Sequence, residues 1–210
     1  MNSNLFIIAK SGWHYIAYTL AAFIVFELLD LEFLALLSLI AMLFSLFLFR
    51  NPEREAVLLE NDMIFSPVDG IVTSIEELND PSYAYKIEIC SSCFNVAVLR
   101  APMTSEVVAV KIVRGSRVGI KSKLFSLLNE YAEIVFQDKN ENSIKVVHRL
   151  KQGFAPISLD IIKQQKLLQG GRYGLAQNGI TTLYFQKNFT TKLQVGQEVL
   201  AAVTSLGEIN

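Results

Sequence analysis

The sequence predicts an α+β, β-rich protein: an N-terminal transmembrane helical hairpin followed by a mainly antiparallel, barrel-sandwich-like cytosolic domain. Three observations lead there. The 210-residue chain is 51% hydrophobic and only 19% charged, with a mean hydropathy of +0.36, more apolar than an average soluble domain. The apolar excess lies almost wholly in the first fifty residues. Beyond them, short runs rich in Val, Ile, Tyr and Phe recur between Pro, Gly, Asn and Asp, the pattern of strands separated by turns.

The hairpin comes first. Residues 13–29 (WHYIAYTLAAFIVFELL) and 33–49 (FLALLSLIAMLFSLFLF) contain one formal charge, Glu27. Each run is 17 residues, roughly 26 Å as helix, at the short end of what crosses a hydrocarbon core of about 30 Å. The apex, ELLDLE, holds Glu27, Asp30 and Glu32. A cleavable signal peptide would need an early basic region and a small-residue cleavage site, and neither is present. A re-entrant or interfacial hairpin is the competing reading. Lys10, Arg50 and Arg54 fall on one side and no Lys or Arg on the other, so the positive-inside rule puts the remainder in the cytoplasm, anchored at the cell inner membrane.

The division is therefore 1–50, the hairpin, and 51–210, the folded domain. Lys10, Arg50, Glu27, Asp30 and Glu32 are the only charges of the first part, which leaves 17 bases and 17 acids in the second. Neither that balance nor the net charge of -1 offers a bulk attraction to nucleic acid. Strands are expected at 63–65, 70–75, 85–89, 94–99, 105–113, 132–136, 144–150, 181–185 and 198–203. Helices are expected at 121–131, where Leu124, Phe125, Leu127 and Leu128 have helical spacing, and at 158–168, which opens on a cap-like Ser-Leu-Asp.

Few side chains here announce chemistry. Cys90 and Cys93 form a CxxC pair between two predicted strands, without the helix-opening loop of a redox dithiol. Zinc would need two further Cys or His, and the chain has only His14 and His148, so no metal site is expected within one chain. His14 reads as an interfacial residue beside Trp13 and Tyr15, and His148 as an ordinary strand residue.

A series of phrases points more sharply. FRNPER at 49–54 follows the hairpin. Then come SPVDG at 66–70, FNV at 94–96 with Arg100-Ala101-Pro102, Leu128-Asn129-Glu130, GGRYG at 170–174 and Val195-Gly196-Gln197. In this order the chain resembles the short form of phosphatidylserine decarboxylase over nearly its whole length. The resemblance implies a membrane-associated precursor with a β-rich domain that converts phosphatidylserine to phosphatidylethanolamine and carbon dioxide. It also implies a pyruvoyl group made from the protein's own backbone, by attack of a serine on the carbonyl of a preceding glycine.

The matching positions lack that chemistry. After Gly179, where the family has serine, stands Ile180, with no hydroxyl to attack and no leaving group to eliminate. The family's activating histidine corresponds to Ala97, and the paired arginines expected near Ala155-Pro156-Ile157 are absent. Only Asp69 matches the expected triad, and in Ser-Pro-Xaa-Asp-Gly an Asp is also an ordinary turn residue. Thr181 is the nearest hydroxyl. A Gly-Ser bond does occur at Gly115-Ser116, about sixty residues too early.

The expectation is thus a protein of phospholipid metabolism without self-processing, and without a cofactor because the pyruvoyl cannot form at Ile180. It would bind lipid headgroups, or pair with or regulate an active paralogue. Membrane phospholipid and a homodimer or active paralogue are the expected partners. An active decarboxylase using a displaced nucleophile is the alternative.

Overall fold

In the computed structural model, which describes residues 7–54 and 63–209, the first two apolar runs form helices α1 (Trp13–Leu28) and α2 (Glu32–Leu48). Leu29–Leu31 turns the chain between them, with Asp30 in the left-handed region at φ 53°. Small residues let the helices close on each other: Ala35 is 1% exposed and Ser38 returns its hydroxyl to Leu34 O. At the open end Tyr15 stacks on Phe49, and a Cβ at Gly12 would collide with the Phe49 side chain. Backbone bonds from Ala9 N–H to Phe49 O and from Asn51 N–H to Ile7 O close that end.

This overturns the expected transmembrane hairpin. Among the described residues no helix is long and apolar enough to cross a membrane. The turn and the bonded open end cut the apolar runs to helices of 16 and 17 residues, roughly 24–26 Å of rise against a core of about 30 Å. The orientation assigned from Lys10, Arg50 and Arg54 therefore has no span to act on.

The chain divides into two compact units, Met1–Glu53 and Arg54–Asn210, and the second is mainly antiparallel sheet with few helices. Its strands are β1 (Met63–Phe65), β2 (Gly70–Glu77), β3 (Tyr85–Cys90), β4 (Val98–Arg100), β5 (Ser105–Val113), β6 (Tyr131–Gln137) and β7 (Ser143–Leu150). They continue with β8 (Ser158–Leu159), β9 (Lys166–Leu167), β10 (Arg172–Leu175), β11 (Gly179–Phe185), β12 (Phe189–Thr190), β13 (Glu198–Val199) and β14 (Ser205–Ile209). Eight form one sheet in the order β13-β2-β3-β11-β7-β6-β5-β9, flanked by three-stranded sheets β1-β14-β12 and β4-β10-β8. The large sheet is open, because among the described residues β13 and β9 end the ladder instead of closing it as a barrel. In β6, β7 and β11 every second residue is buried, as the period of a half-buried strand requires. Their inward side chains, among them Ile134, Phe136, Val146 and Leu183, join Ile87, Ile89 and Tyr173 in one core.

Both expected helices of this unit give way to tertiary pairing. Of 121–131 only α3 (Phe125–Leu128) is helical. Asn129 leaves the helix in extended conformation, its Nδ2 donating to Val118 O and Leu150 O and its Oδ1 accepting from Val118 N–H. Of 158–168, Ser158 and Leu159 pair with β10, Lys166 and Leu167 pair with β5, and Gln164 between them has φ 67°. Edge pairing with a preformed sheet outweighs a weak helical pattern.

Candidate functional site

The Ser66–Gly70 phrase runs into β2 and delivers Asp69 to a buried position, 4% exposed. Arg54 grips its carboxylate with both guanidinium nitrogens, Nη1 to Oδ1 at 2.6 Å and Nη2 to Oδ2 at 2.6 Å. Ala201 N–H donates to Oδ1 at 2.8 Å, and Arg54 Nη1 also donates to Ala201 O at 2.7 Å. A bidentate guanidinium plus a backbone donor ties the 54, 69 and 201 segments together. As built, that carboxylate acts as a clamp.

Ser91, just past β3, links Asp69 to the start of β11. Its N–H donates to Gly179 O at 2.9 Å and its hydroxyl to Asp69 O at 2.6 Å. A Cβ at Gly179 would lie 2.8 Å from Arg149 O, so β7 demands glycine there. Ile180 is held between Cys90 of β3 and Arg149 of β7, half-buried in a continuous ladder. Ala97, 4% exposed, accepts through its carbonyl from Ala176 N–H at 2.9 Å, in the connection from β10 to Gly179. The structure therefore brings Asp69, Gly179, Ile180 and, through Ala176, Ala97 to one end of the sheet. At the position that follows Gly179 the side chain is a hydrocarbon, Ile180, with no hydroxyl to attack the preceding carbonyl. The residues present do not fit a serine-derived pyruvoyl group at this bond.

Gly115 and Ser116 lie elsewhere. A Cβ at Gly115 would collide with Leu128 O, and Ser116 forms an isolated bridge with Asn129. Beside them Glu130, 2% exposed, pairs with Arg114 and, at 3.2 Å, with Arg117, while Oε1 accepts Ile157 N–H at 3.1 Å. Arg114 Nη1 also donates to Ile157 O at 2.8 Å. The Gly-Ser bond thus belongs to a loop neck locked by a buried carboxylate.

Two arrangements were not legible in the sequence. His148 is sealed in the core with Nδ1 2.8 Å from Thr181 Oγ1 and Nε2 2.6 Å from the Tyr173 hydroxyl. Burial pushes its pKa down to about 3 and drives the Tyr173 phenol well above its usual range, so both are neutral at ordinary pH. The only hint is position: His148, Tyr173 and Thr181 all fall on buried phases of their strands. The second is Lys151 Nζ, 3.1 Å from Cys90 Sγ. Cys90 and Cys93 are both free thiols. Among the described residues no group of three or more His, Cys, Asp or Glu is placed to hold a metal ion. Cavities of about 350 and 390 Å³ lie at 80–84 with 186–188 and at 190–193 with 205–208, and neither is lined by Asp69, Ala97, Gly179 or Ile180.

Comparison with known proteins gives this geometry a context. The family model described as phosphatidylserine decarboxylase matches residues 41–207. The chain is similar to the phosphatidylserine decarboxylase proenzyme of Geobacter metallireducens, with 30% identity over 211 residues, covering 95% of each protein. It is 30% identical over 224 residues to that of Carboxydothermus hydrogenoformans, covering 100% of this chain and 99% of the relative. With that of Solidesulfovibrio magneticus it shares 29% identity over 205 residues, covering 96% and 95%.

Proposed function

The chain belongs to the phosphatidylserine decarboxylase family, and from that premise we propose that it is a noncatalytic member that does not process itself. In this reading it serves phospholipid metabolism by binding lipid headgroups at a membrane surface, alone or beside an active relative. The observation that carries it is Ile180, which follows Gly179 in a ladder bonded on both sides. Self-cleavage of the family kind needs a β-hydroxyl at that position, both to attack the carbonyl and to leave in the elimination. Ala97 supplies no base, and the Asp69 carboxylate is occupied by Arg54 and Ala201. What remains is the framework that holds these positions together, and it supports a binding role without the reaction. Association with phospholipid, and through it with the inner membrane, does not require a span in this reading. The soluble unit would then meet the membrane from its cytoplasmic side.

One observation favours a second reading, an active enzyme with a displaced nucleophile. Thr181 Oγ1 lies 2.8 Å from His148 Nδ1, a hydroxyl beside a neutral imidazole one residue past the expected position. Against it, Thr181 is 3% exposed and paired with Ile89 on one side and His148 on the other, which leaves no room for its backbone to turn toward the Ile180 carbonyl.

Intact mass of the purified full-length chain separates the two. A single unmodified chain of 23.5 kDa, inactive toward phosphatidylserine, is the expected result. Two fragments joined at Ile180-Thr181 would overturn the noncatalytic reading and identify Thr181 as the nucleophile. Headgroup binding is checked by comparing vesicles containing phosphatidylserine with phosphatidylcholine vesicles, where equal binding removes the headgroup reading.

A further inference from the structure

We infer that the segment 114–128 is a membrane-docking tip that presses the Gly179–Ile180 end of the sheet against an anionic lipid surface. This rests on the phospholipid reading above and adds the surface through which it is achieved.

The segment combines a rigid neck with an apolar, basic tip. At the neck, Glu130 holds Arg114 and Arg117. Asn129 ties Val118 to Leu150, Arg149 Nη1 donates to Ser126 O, and Arg117 Nη1 donates to Gly153 O. Beyond these bonds the chain offers its apolar residues to solvent. Ile120, Leu124, Leu127 and Leu128 are all exposed, Leu127 by 77%, and Phe154, next to the Gly153 anchor, is also exposed. A four-residue helix with no buried side chain satisfies no core of its own. Held in place yet uncovered, such a patch marks an interaction surface.

Charge identifies the occupant. The exposed Lys121 and Lys123 alternate with the apolar residues, and Arg149 and Lys151 lie at the end of the adjoining β7 and just beyond it. No acid occurs in 114–129, 149–157 or 176–180, and Glu130 is buried against its two arginines; the acids at this sheet end include Asp69, held by Arg54, and Glu198, which lies away from the tip on the edge strand β13. Apolar side chains interspersed with lysines suit acyl chains below and anionic headgroups above. Position ties the tip to the site. Asn129 bonds Leu150 O, Leu150 pairs with Gly179, and Arg149 pairs with Ile180. A lipid surface meeting the tip therefore lies at the sheet end where Asp69, Ala97, Gly179 and Ile180 converge.

The test uses the full chain with a local reporter, because the apolar hairpin would by itself carry the protein to lipid. Trp13 is the only tryptophan, so Trp13→Phe combined with Leu127→Trp places a single indole on the tip. With vesicles of phosphatidylcholine and phosphatidylglycerol carrying brominated acyl chains, the indole emission is expected to shift to the blue and be quenched. Adding Lys121→Glu and Lys123→Glu should weaken that response by about tenfold or more. An indole that stays water-exposed on vesicles to which the chain is bound overturns the inference. So does a response unaffected by the two charge reversals, or a blue shift on vesicles without quenching by the brominated chains, which would make a protein surface, and not lipid, the occupant. Quenching equal with phosphatidylserine and phosphatidylglycerol leaves docking standing and removes headgroup selectivity. Selective binding of phosphatidylserine without quenching does the reverse.

Discussion

His148 is sealed in a core that opposes its ionisation, since both ring nitrogens face neutral hydroxyls, those of Thr181 and Tyr173, and burial costs the charged ring its hydration. Its pKa is about 3 in the folded protein against 6.5 for an ordinary histidine. The unfolded chain therefore binds the proton more readily, and stability rises with pH across that window. The contribution is complete above about pH 6.5, falls as pH drops toward 3, and is gone below it; at pH 5 the loss is about 2 kcal/mol. Urea unfolding at pH 7.5 and pH 5 should show that difference, and His148→Phe should flatten the dependence between the two, whatever its effect on absolute stability. An unchanged slope in the variant would place the proton uptake on another group. Sequence reading treats this residue as an ordinary strand histidine because its partners stand 33 and 25 residues away, and no local pattern records which hydroxyls a core histidine meets. Ala97 and Ile180 differ in kind: each falls inside a phrase, FNV with Arg100-Ala101-Pro102 and GGRYG, from which the family resemblance alone assigns them their positions, with no use of coordinates.

At the scale of elements, what could be read depends on whether the signal is local. The expected strands at 132–136, 144–150 and 181–185 lie within β6, β7 and β11 because alternate burial is written directly in the residues. The expected helices at 121–131 and 158–168 fail because distant partners decide them. Asn129 is the clearest case, 2% exposed and replacing helical hydrogen bonds with bonds to Val118 and Leu150. Asn129→Ala should leave two carbonyls and one N–H short of a partner, and cost about 2–3 kcal/mol in denaturant unfolding. The same variant should release the 114–128 neck, seen as faster amide exchange at Val118 and Ser116. A loss confined to global stability, with exchange in the neck unchanged, would mean that the Glu130 ion pairs hold the segment without help from Asn129.

For the whole molecule, the decisive feature is that the second unit carries a core of its own, running from Ile64 to Leu206. Its described members all belong to the second unit, so a chain beginning at Arg54 should fold. The hairpin exposes Ile24, Leu28, Phe33, Leu37, Leu43 and Phe47 among other apolar side chains, far more than a soluble surface ordinarily carries in one place. The full-length protein should therefore need detergent or lipid to remain monodisperse, whereas residues 54–210 should not. Starting the chain instead at Met63 removes Arg54, whose side chain is 12% exposed, and strands the Asp69 carboxylate, 5% exposed, with Ala201 N–H as its remaining partner among the described residues. Breaking a buried pair from one side costs about 3–5 kcal/mol because the surviving charge is left without compensation. Residues 63–210 should accordingly unfold at markedly lower denaturant concentration than residues 54–210, and Asp69→Asn in the longer chain should lower its midpoint too, since it leaves the buried Arg54 charge facing only a neutral amide and Ala201 O. Equal midpoints for the two truncations would show that the Arg54 clamp is dispensable, and that Ser91 and the sheet ladder alone hold Asp69 beside Gly179.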